Sequence, residues 1–254
     1  MHKAGVVKFV VHDDPTTAED AYNKYPEIII PFVRVSPQKD SALDTLTNAL
    51  EKDTFYGVGE VSLRHWSRRM DVSKKDASSI EGQKRQAGGG KGVDTPADSE
   101  EMKNILDIAA NSGVPAAVHL DNIYSDELER LLEHNRSGKI IWSHVGTTPF
   151  KMTNPNDVMR MMQEHPNLYA DLSAVSPSFR RESLLGTNGI LQKEWEDLFE
   201  TYPERFFFGI DIFLEEHIGS VEDEVTYWRK ILGQLEPQAA QSIGCDNIRE
   251  MLAK

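Results

Sequence analysis

One cysteine, Cys245, occurs in 254 residues, so no internal disulfide can brace the fold. It sits in Ile243-Gly244-Cys245-Asp246 without a nearby histidine and reads as a packing residue. No apolar run approaches the roughly 18 residues that a membrane-crossing helix needs, which excludes a span of that kind. Positive charge is also scarce: 28 Lys and Arg against 41 Asp and Glu leave a net charge of −13. Such a surface repels polyanions, and no basic, aromatic-interleaved stripe is present to track a phosphate backbone, so nucleic acid is disfavoured as a partner. The opening Met1-His2-Lys3-Ala4-Gly5-Val6 has no apolar stretch after its basic start, which makes the cytoplasm the expected compartment.

A phosphate-cradling loop is missing as well. Gly88-Gly89-Gly90-Lys91-Gly92 lacks both the preceding strand and the Ser or Thr after the lysine that a P-loop requires. The surrounding segment, about residues 67–97, is polar and without apolar period, and is expected to be a long flexible loop inserted in one domain spanning 1–254.

What is present is an alternation of short β-branched or aromatic runs with stretches of helical period, the order of βαβ units and a parallel sheet. The length suits one α/β barrel. Strands are expected at Val6 to Val11, Ile28 to Val33, Tyr56 to Val61, Pro115 to His119, Lys139 to Ser143, Leu168 to Asp171 and Phe206 to Ile210. That is a TIM-type (β/α)8 barrel showing seven of its eight strands. Asp98 with Glu101 begins a helix that ends at Gly113, Asn154-Pro155 begins another, and Val225, Trp228, Ile231, Leu232 and Leu235 stripe a third.

Barrel enzymes place their chemistry at the C-terminal ends of strands. Here one buried strand ends in His119, the next in His144, and the last in Asp211. A single histidine at a strand end is commonly structural, and Asp211 alone could be a helix cap. Three such endings in order point instead to one shared site. Glu60, preceded in Gly57-Val58-Gly59-Glu60-Val61 by glycines that allow close approach of the backbone, is a fourth candidate, since a carboxylate on a buried strand is costly without a partner. Imidazole and carboxylate suit Zn²⁺ first, with Mn²⁺, Fe²⁺ and Ni²⁺ compatible, and such an ion activates water and polarises the bond to be broken. His119, His144, Asp211 and Glu60 are the candidate ligands, and Asp211 is also the candidate acid–base group. His12, His65 and His217 follow strands and are weaker candidates for lining the mouth, as are Asp171 and Ser173 for hydrogen-bonding a ligand imidazole. His2, His134 and His165 are expected at the surface.

Val-Pro-Ala-Ala-Val-His-Leu-Asp, Ile-Ile-Trp-Ser-His-Val-Gly, Asn-Leu-Tyr-Ala-Asp-Leu-Ser and Phe-Phe-Phe-Gly-Ile-Asp resemble consecutive motifs of the amidohydrolase-related metal-dependent hydrolases, from about Ala4 to the end. The resemblance implies that His119 and His144 are the histidines of barrel strands five and six, that Asp211 is the strand-eight aspartate, and that Asp171 to Ser173 belong to strand seven. Gly57 to Leu63 is similar to the strand-four motif of metal-dependent deoxyribonucleases in that superfamily, with Glu60 as ligand. The family's first strand carries a His-x-His pair that this chain lacks. An N-terminus lost through a downstream start or a fragmentary sequence is the simplest account, and His12 is a candidate substitute ligand.

Two classes follow. The first is a metal-dependent hydrolase acting on a small ester, lactone or amide, with decarboxylase and deoxyribonuclease-like chemistry as variants. The second is an inert or truncated barrel kept for binding or assembly. An open barrel exposes two strand edges, so low solubility or a homo-oligomer is expected.

Overall fold

The computed structural model describes residues 5–65, 93–147, 152–176, 183–212, 219 and 221–253. Seven strands follow one another in space as they do in sequence: β1 (Phe9–Asp13), β2 (Ile29–Val33), β3 (Gly57–Ser62), β4 (Ala116–His119), β5 (Ile140–Trp142), β6 (Leu168–Asp171) and β7 (Phe206–Phe207). Every neighbouring pair is parallel. Helices α1 (Pro15–Lys24), α2 (Ala42–Leu50), α3 (Glu100–Asn111), α4 (Ser125–His134), α5 (Pro155–Glu164), α6 (Lys193–Thr201) and α7 (Val221–Leu232) provide the crossovers and the outer ring. Two short helices, α8 (Pro237–Gln241) and α9 (Asn247–Met251), close the chain.

The alternation of side chains along each strand builds two cores. Val58, Ala116, Val118, Ile140, Trp142, Leu168, Ala170 and Phe206 face the helices, where Leu46, Ile105, Leu128, Val158, Leu198 and Ile231 cover them. Each such buried aliphatic side chain contributes ~1.5–3 kcal/mol. The alternate positions converge on one another: Val10, Phe32, Ala117, Ile141, Tyr169 and Phe207, one from each of six strands, share a cluster with Ile248, Met251 and Leu252 from the C-terminal helical end. Only a curled sheet brings β1 and β7 side chains together in this way. The fold is an incomplete (β/α) barrel with seven strands among the described residues, its N-terminal end plugged by α9.

Two strands, the first and the last, differ from the expectation by more than one residue at an end. The apolar run at Val6 reads as strand, but Val6 packs against Val221 and Val225, as Phe208 and Ile210 also do, and ladder pairing starts at Phe9 and runs on through His12 and Asp13. At the other edge, pairing stops at Phe207 because the Phe208 N–H donates to Ile243 O (3.1 Å), tying the chain to the C-terminal region in place of β6. The cap of α3 also shifts by one residue: Ser99 accepts from Met102 N (3.3 Å), while Asp98 pairs with Arg130 (2.5 Å). Asn154 caps α5 as read, accepting from Asn156 N at 3.0 Å. Leu235 lies beyond α7, though buried. Of the expected loop at 67–97, residues 67–92, including the glycine run, lie outside the described residues. Its last five residues are placed: Val93 bridges to His65, and Ala97 is buried with its N–H donating to Glu127 Oε2 (3.0 Å). Among the described residues no helix is long and apolar enough to cross a membrane.

Candidate metal centre

The inward row that carries the apolar plug continues upward into polar residues at the C-terminal end of the barrel. On β3 the glycines permit this. The ring of Phe32 sits 2.3 Å from where a Gly57 Cβ would be, and Ala117 O sits 2.6 Å from where a Gly59 Cβ would be. Gly59 has φ +135, open to glycine and costly for other residues, and is joined to Glu60 by a cis peptide bond. With β2 and β4 closed tightly around this strand, the Glu60 side chain is carried into the mouth.

His119 ends β4, and its Nδ1 lies 2.9 Å from Glu60 Oε1. His144 follows β5 in a short turn, Ser143–Gly146, where His144 and Val145 have φ of 57° and 46°. Ala174 (φ 53°) and Asp211 (φ 45°) are also left-handed, so among the described residues the four non-glycine residues of that conformation lie in strand-end segments around this mouth. Such a conformation costs ~1–3 kcal/mol per residue and is retained where surrounding contacts fix it. The contacts are explicit for His144. Its N–H donates to Asp171 Oδ1 (3.2 Å), and its ring Nδ1 lies 2.9 Å from Ser173 Oγ and 3.1 Å from Ser173 O. A carbonyl oxygen only accepts, so Nδ1 carries a hydrogen and Nε2 is turned to Glu60 Oε1, 3.4 Å away. Asp171 Oδ1 completes the brace, accepting from Ser173 N (2.9 Å) and Ser173 Oγ.

Electrostatics follow from this crowding. Burial raises the Glu60 carboxyl, but the His119 and His144 imidazoles beside it hold it well below its ordinary range. Burial lowers His144, and the Glu60 carboxylate facing its ring, with Asp171 and Asp211 beyond, pushes it up to about 10. Asp211 is raised by burial, with His144 opposing and Glu60 adding to the rise. His65 is pulled down to about 4 by burial and then by His119, whose ring lies 4.4 Å away. His12 stacks on Phe32 at 5.1 Å and is lowered by burial against the pull of Glu60, Asp171 and Asp211.

The structure therefore brings Glu60, His119 and His144 together, with Asp171 and Ser173 behind His144 and with His12, His65 and Asp211 around them. Ligand atoms of Glu60, His119 and His144 lie within 4.8 Å of one another, a set that does not include Asp211. Despite its two imidazole neighbours, the buried Glu60 Oε1 has no hydrogen bond. A buried acceptor left in that state, facing a ring nitrogen on either side, fits a cation better than it fits its neighbours. His217 lies outside the described residues. His165, expected at the surface, is only 3% exposed, because Glu129 and Glu133 of the neighbouring α4 stand over its ring.

The sequence model of the amidohydrolase family matches residues 5–254. The chain belongs to that family. No curated protein sequence matches it. Solved structures share the amidohydrolase's fold at low identity. An uncharacterised TIM-barrel protein from Bordetella bronchiseptica superposes with a TM-score of 0.68 at 13% identity, covering 100% of this chain and 80% of that one. A probable 2-pyrone-4,6-dicarboxylic acid hydrolase from Acinetobacter baumannii gives 0.65 at 13%, covering 100% and 86%. The 5-carboxyvanillate decarboxylase from Sphingomonas paucimobilis gives 0.61 at 11%, covering 99% and 80%.

Proposed function

We propose that this amidohydrolase is a metal-dependent hydrolase that cleaves a C–N or C–O bond of a small molecule, an ester, lactone or amide, with Glu60, His119 and His144 holding the ion and Asp211 handling the proton. The observation that carries the reading is Glu60 Oε1, buried without a hydrogen bond between two imidazoles. A carboxylate oxygen and two ring nitrogens suit zinc first, with manganese, iron and nickel compatible. When bound, a divalent ion supplies Lewis acidity and a more acidic water. The chain's own residues do the rest. Ser173 fixes the ring of His144 through Nδ1, leaving Nε2 for the ion. Asp211, with its pKa raised by burial, can accept a proton from water and return it to the leaving group. His12 and His65, both lowered, present neutral imidazoles that can hydrogen-bond a substrate without adding charge.

Decarboxylation is the second reading, supported by the likeness to the decarboxylase barrel, since the same ion and carboxylate can orient a carboxylated substrate. The two separate by product: hydrolysis consumes water, decarboxylation releases CO₂. The test begins with metal per chain by elemental analysis. A near-stoichiometric ion in the parent, lost in His144→Ala, is expected, followed by turnover in a panel of small esters, lactones and amides that Asp211→Asn abolishes. A parent that binds no divalent ion at the mouth sinks the reading and leaves an inert barrel.

A further inference from the structure

Away from the barrel mouth, a second group of titratable side chains gathers where α4 and α5 end. Glu129 and Glu133 come from α4, Glu164 is the last residue of α5, and His165 caps that helix. Neither ring nitrogen of the buried His165 has a hydrogen bond. Nδ1 stands 3.2 Å from Glu133 Oε1 and Nε2 stands 3.7 Å from Glu129 Oε2, so the ring is aimed into the carboxylates without bonding to them. An imidazole in that position has given up water and gained nothing in exchange. An open cleft of about 540 Å³, lined by Glu129, Arg130, Glu133, Arg136, Glu164 and His165, gives access from solvent. The C-terminal ends of two helices add negative potential.

Ligand atoms of Glu129, Glu164 and His165 lie within 4.8 Å of one another. Arg160 now spans the two carboxylates, reaching Glu129 at 2.6 Å and Glu164 at 2.7 Å, on a side chain that is 47% exposed. A guanidinium so placed supplies the charge that the acids need, yet leaves the imidazole nitrogens unused. A cation that also accepts nitrogen ligands satisfies all three residues at once, and Arg160 is exposed enough to swing aside.

We propose that Glu129, Glu164 and His165 form a second site, on the outer helical shell, for a divalent transition-metal ion of the zinc class, and that Arg160 competes with the ion for it. One imidazole nitrogen with two carboxylates is the donor set such ions take. Arg136 remains on Glu133 at 2.5 Å, keeping that acid as an outer partner of the ring.

The test is zinc binding by chelator-treated full chain, measured by equilibrium dialysis with elemental analysis, in the parent, Glu164→Gln, Arg160→Gln and His119→Ala. Glu164 is half exposed, so its replacement leaves the packing intact. In Glu164→Gln the affinity of one zinc equivalent is expected to fall at least tenfold while the equivalent that depends on His119 remains. In Arg160→Gln the outer equivalent is expected to bind at least threefold tighter, although the variant has lost its ion pairs. Zinc is expected to move the ring ¹⁵N resonances of His165 in the parent and not in Glu164→Gln. An ion-pair cluster with no metal role gives equal zinc binding in parent and Glu164→Gln and no gain in Arg160→Gln, and either result overturns the proposal. So does loss of one and the same equivalent in Glu164→Gln and His119→Ala, which places the ion at the mouth.

Discussion

Asp171 Oδ1 accepts from three donors that share one purpose: the N–H of His144, the N–H of Ser173 and the hydroxyl of Ser173 all hold the His144 ring in place. Asp171→Ala strands two backbone N–H groups at a half-buried position, which costs about 2–3 kcal/mol in denaturant unfolding. If Nε2 of His144 holds an ion, its affinity should also drop by roughly 10–100-fold, as loss of an orienting partner does elsewhere. Asp171→Asn keeps an acceptor oxygen and should recover most of both, whereas equal metal affinity in Ala and parent would detach Asp171 from the site. At this scale the sequence was informative where a polar side chain interrupts an apolar run. Glu60, His119 and His144 stand out in that way. That Asp171 or Ser173 would hydrogen-bond a ligand imidazole was readable from the strand end, but which histidine it holds, 29 residues away, depends on the register of β5 against β6, which no local pattern reports. The burial of His165 was hidden for a related reason. A polar residue at a helix end looks solvated until the neighbouring helix is placed over it.

The strands and three of the helices were legible to within a few residues through their own start signals or periods. Asp14 carries a signal of the same kind that was not read as one: its carboxylate accepts from Thr16 N (3.1 Å), Thr17 N (3.2 Å) and Thr17 Oγ1 (2.6 Å), capping α1 immediately before Pro15. The Thr17 hydroxyl, then its N–H, holds the Asp14 pKa below its ordinary 3.8. A carboxylate depressed in the folded state stabilises the fold above the unfolded pKa, and that contribution disappears as pH falls through the folded value. Asp14→Ala should therefore lower Tm by about 2–4 °C at pH 7, with the gap to the parent closing in acid, as thermal scans from pH 7 to 2 will show. A gap independent of pH would mean that the cap acts by shape alone. Gly59 is the opposite case, a position fixed by its neighbours. Its positive φ and the nearness of Ala117 O mean that Gly59→Ala must push β3 from β4, at a cost of about 3 kcal/mol or more. A variant with parental stability would show that the two strands can separate freely. From sequence, this glycine suggested close approach but not which strand approached.

In the molecule as a whole, the unresolved tension is closure. Among the described residues the sheet runs from β1 to β7 without a ladder between its two ends, and apolar side chains bridge them: Val6 on one side and Phe208 and Ile210 on the other pack against Val221 and Val225. Apolar contact of that kind holds the curl but leaves edge amides without strand partners. The Phe9 N–H donates to Ile28 O at 2.8 Å, toward β2, so by the alternation of a strand the Val10 and His12 amides face away from β2. Amides of β4 and β5, such as Val118 and Ile141, lie between two paired strands. Native-state hydrogen exchange should find Val10 and His12 opening at far lower free energy than Val118 and Ile141, which should approach the global value. An exposed edge also invites a second copy, so protection of Val10 and His12 should rise with protein concentration, in step with the mass found by light scattering. If these two amides are as protected as Val118 in a dilute monomer, then side-chain packing across the seam closes the barrel as firmly as a ladder would, and the expectation of an oligomer loses its physical basis.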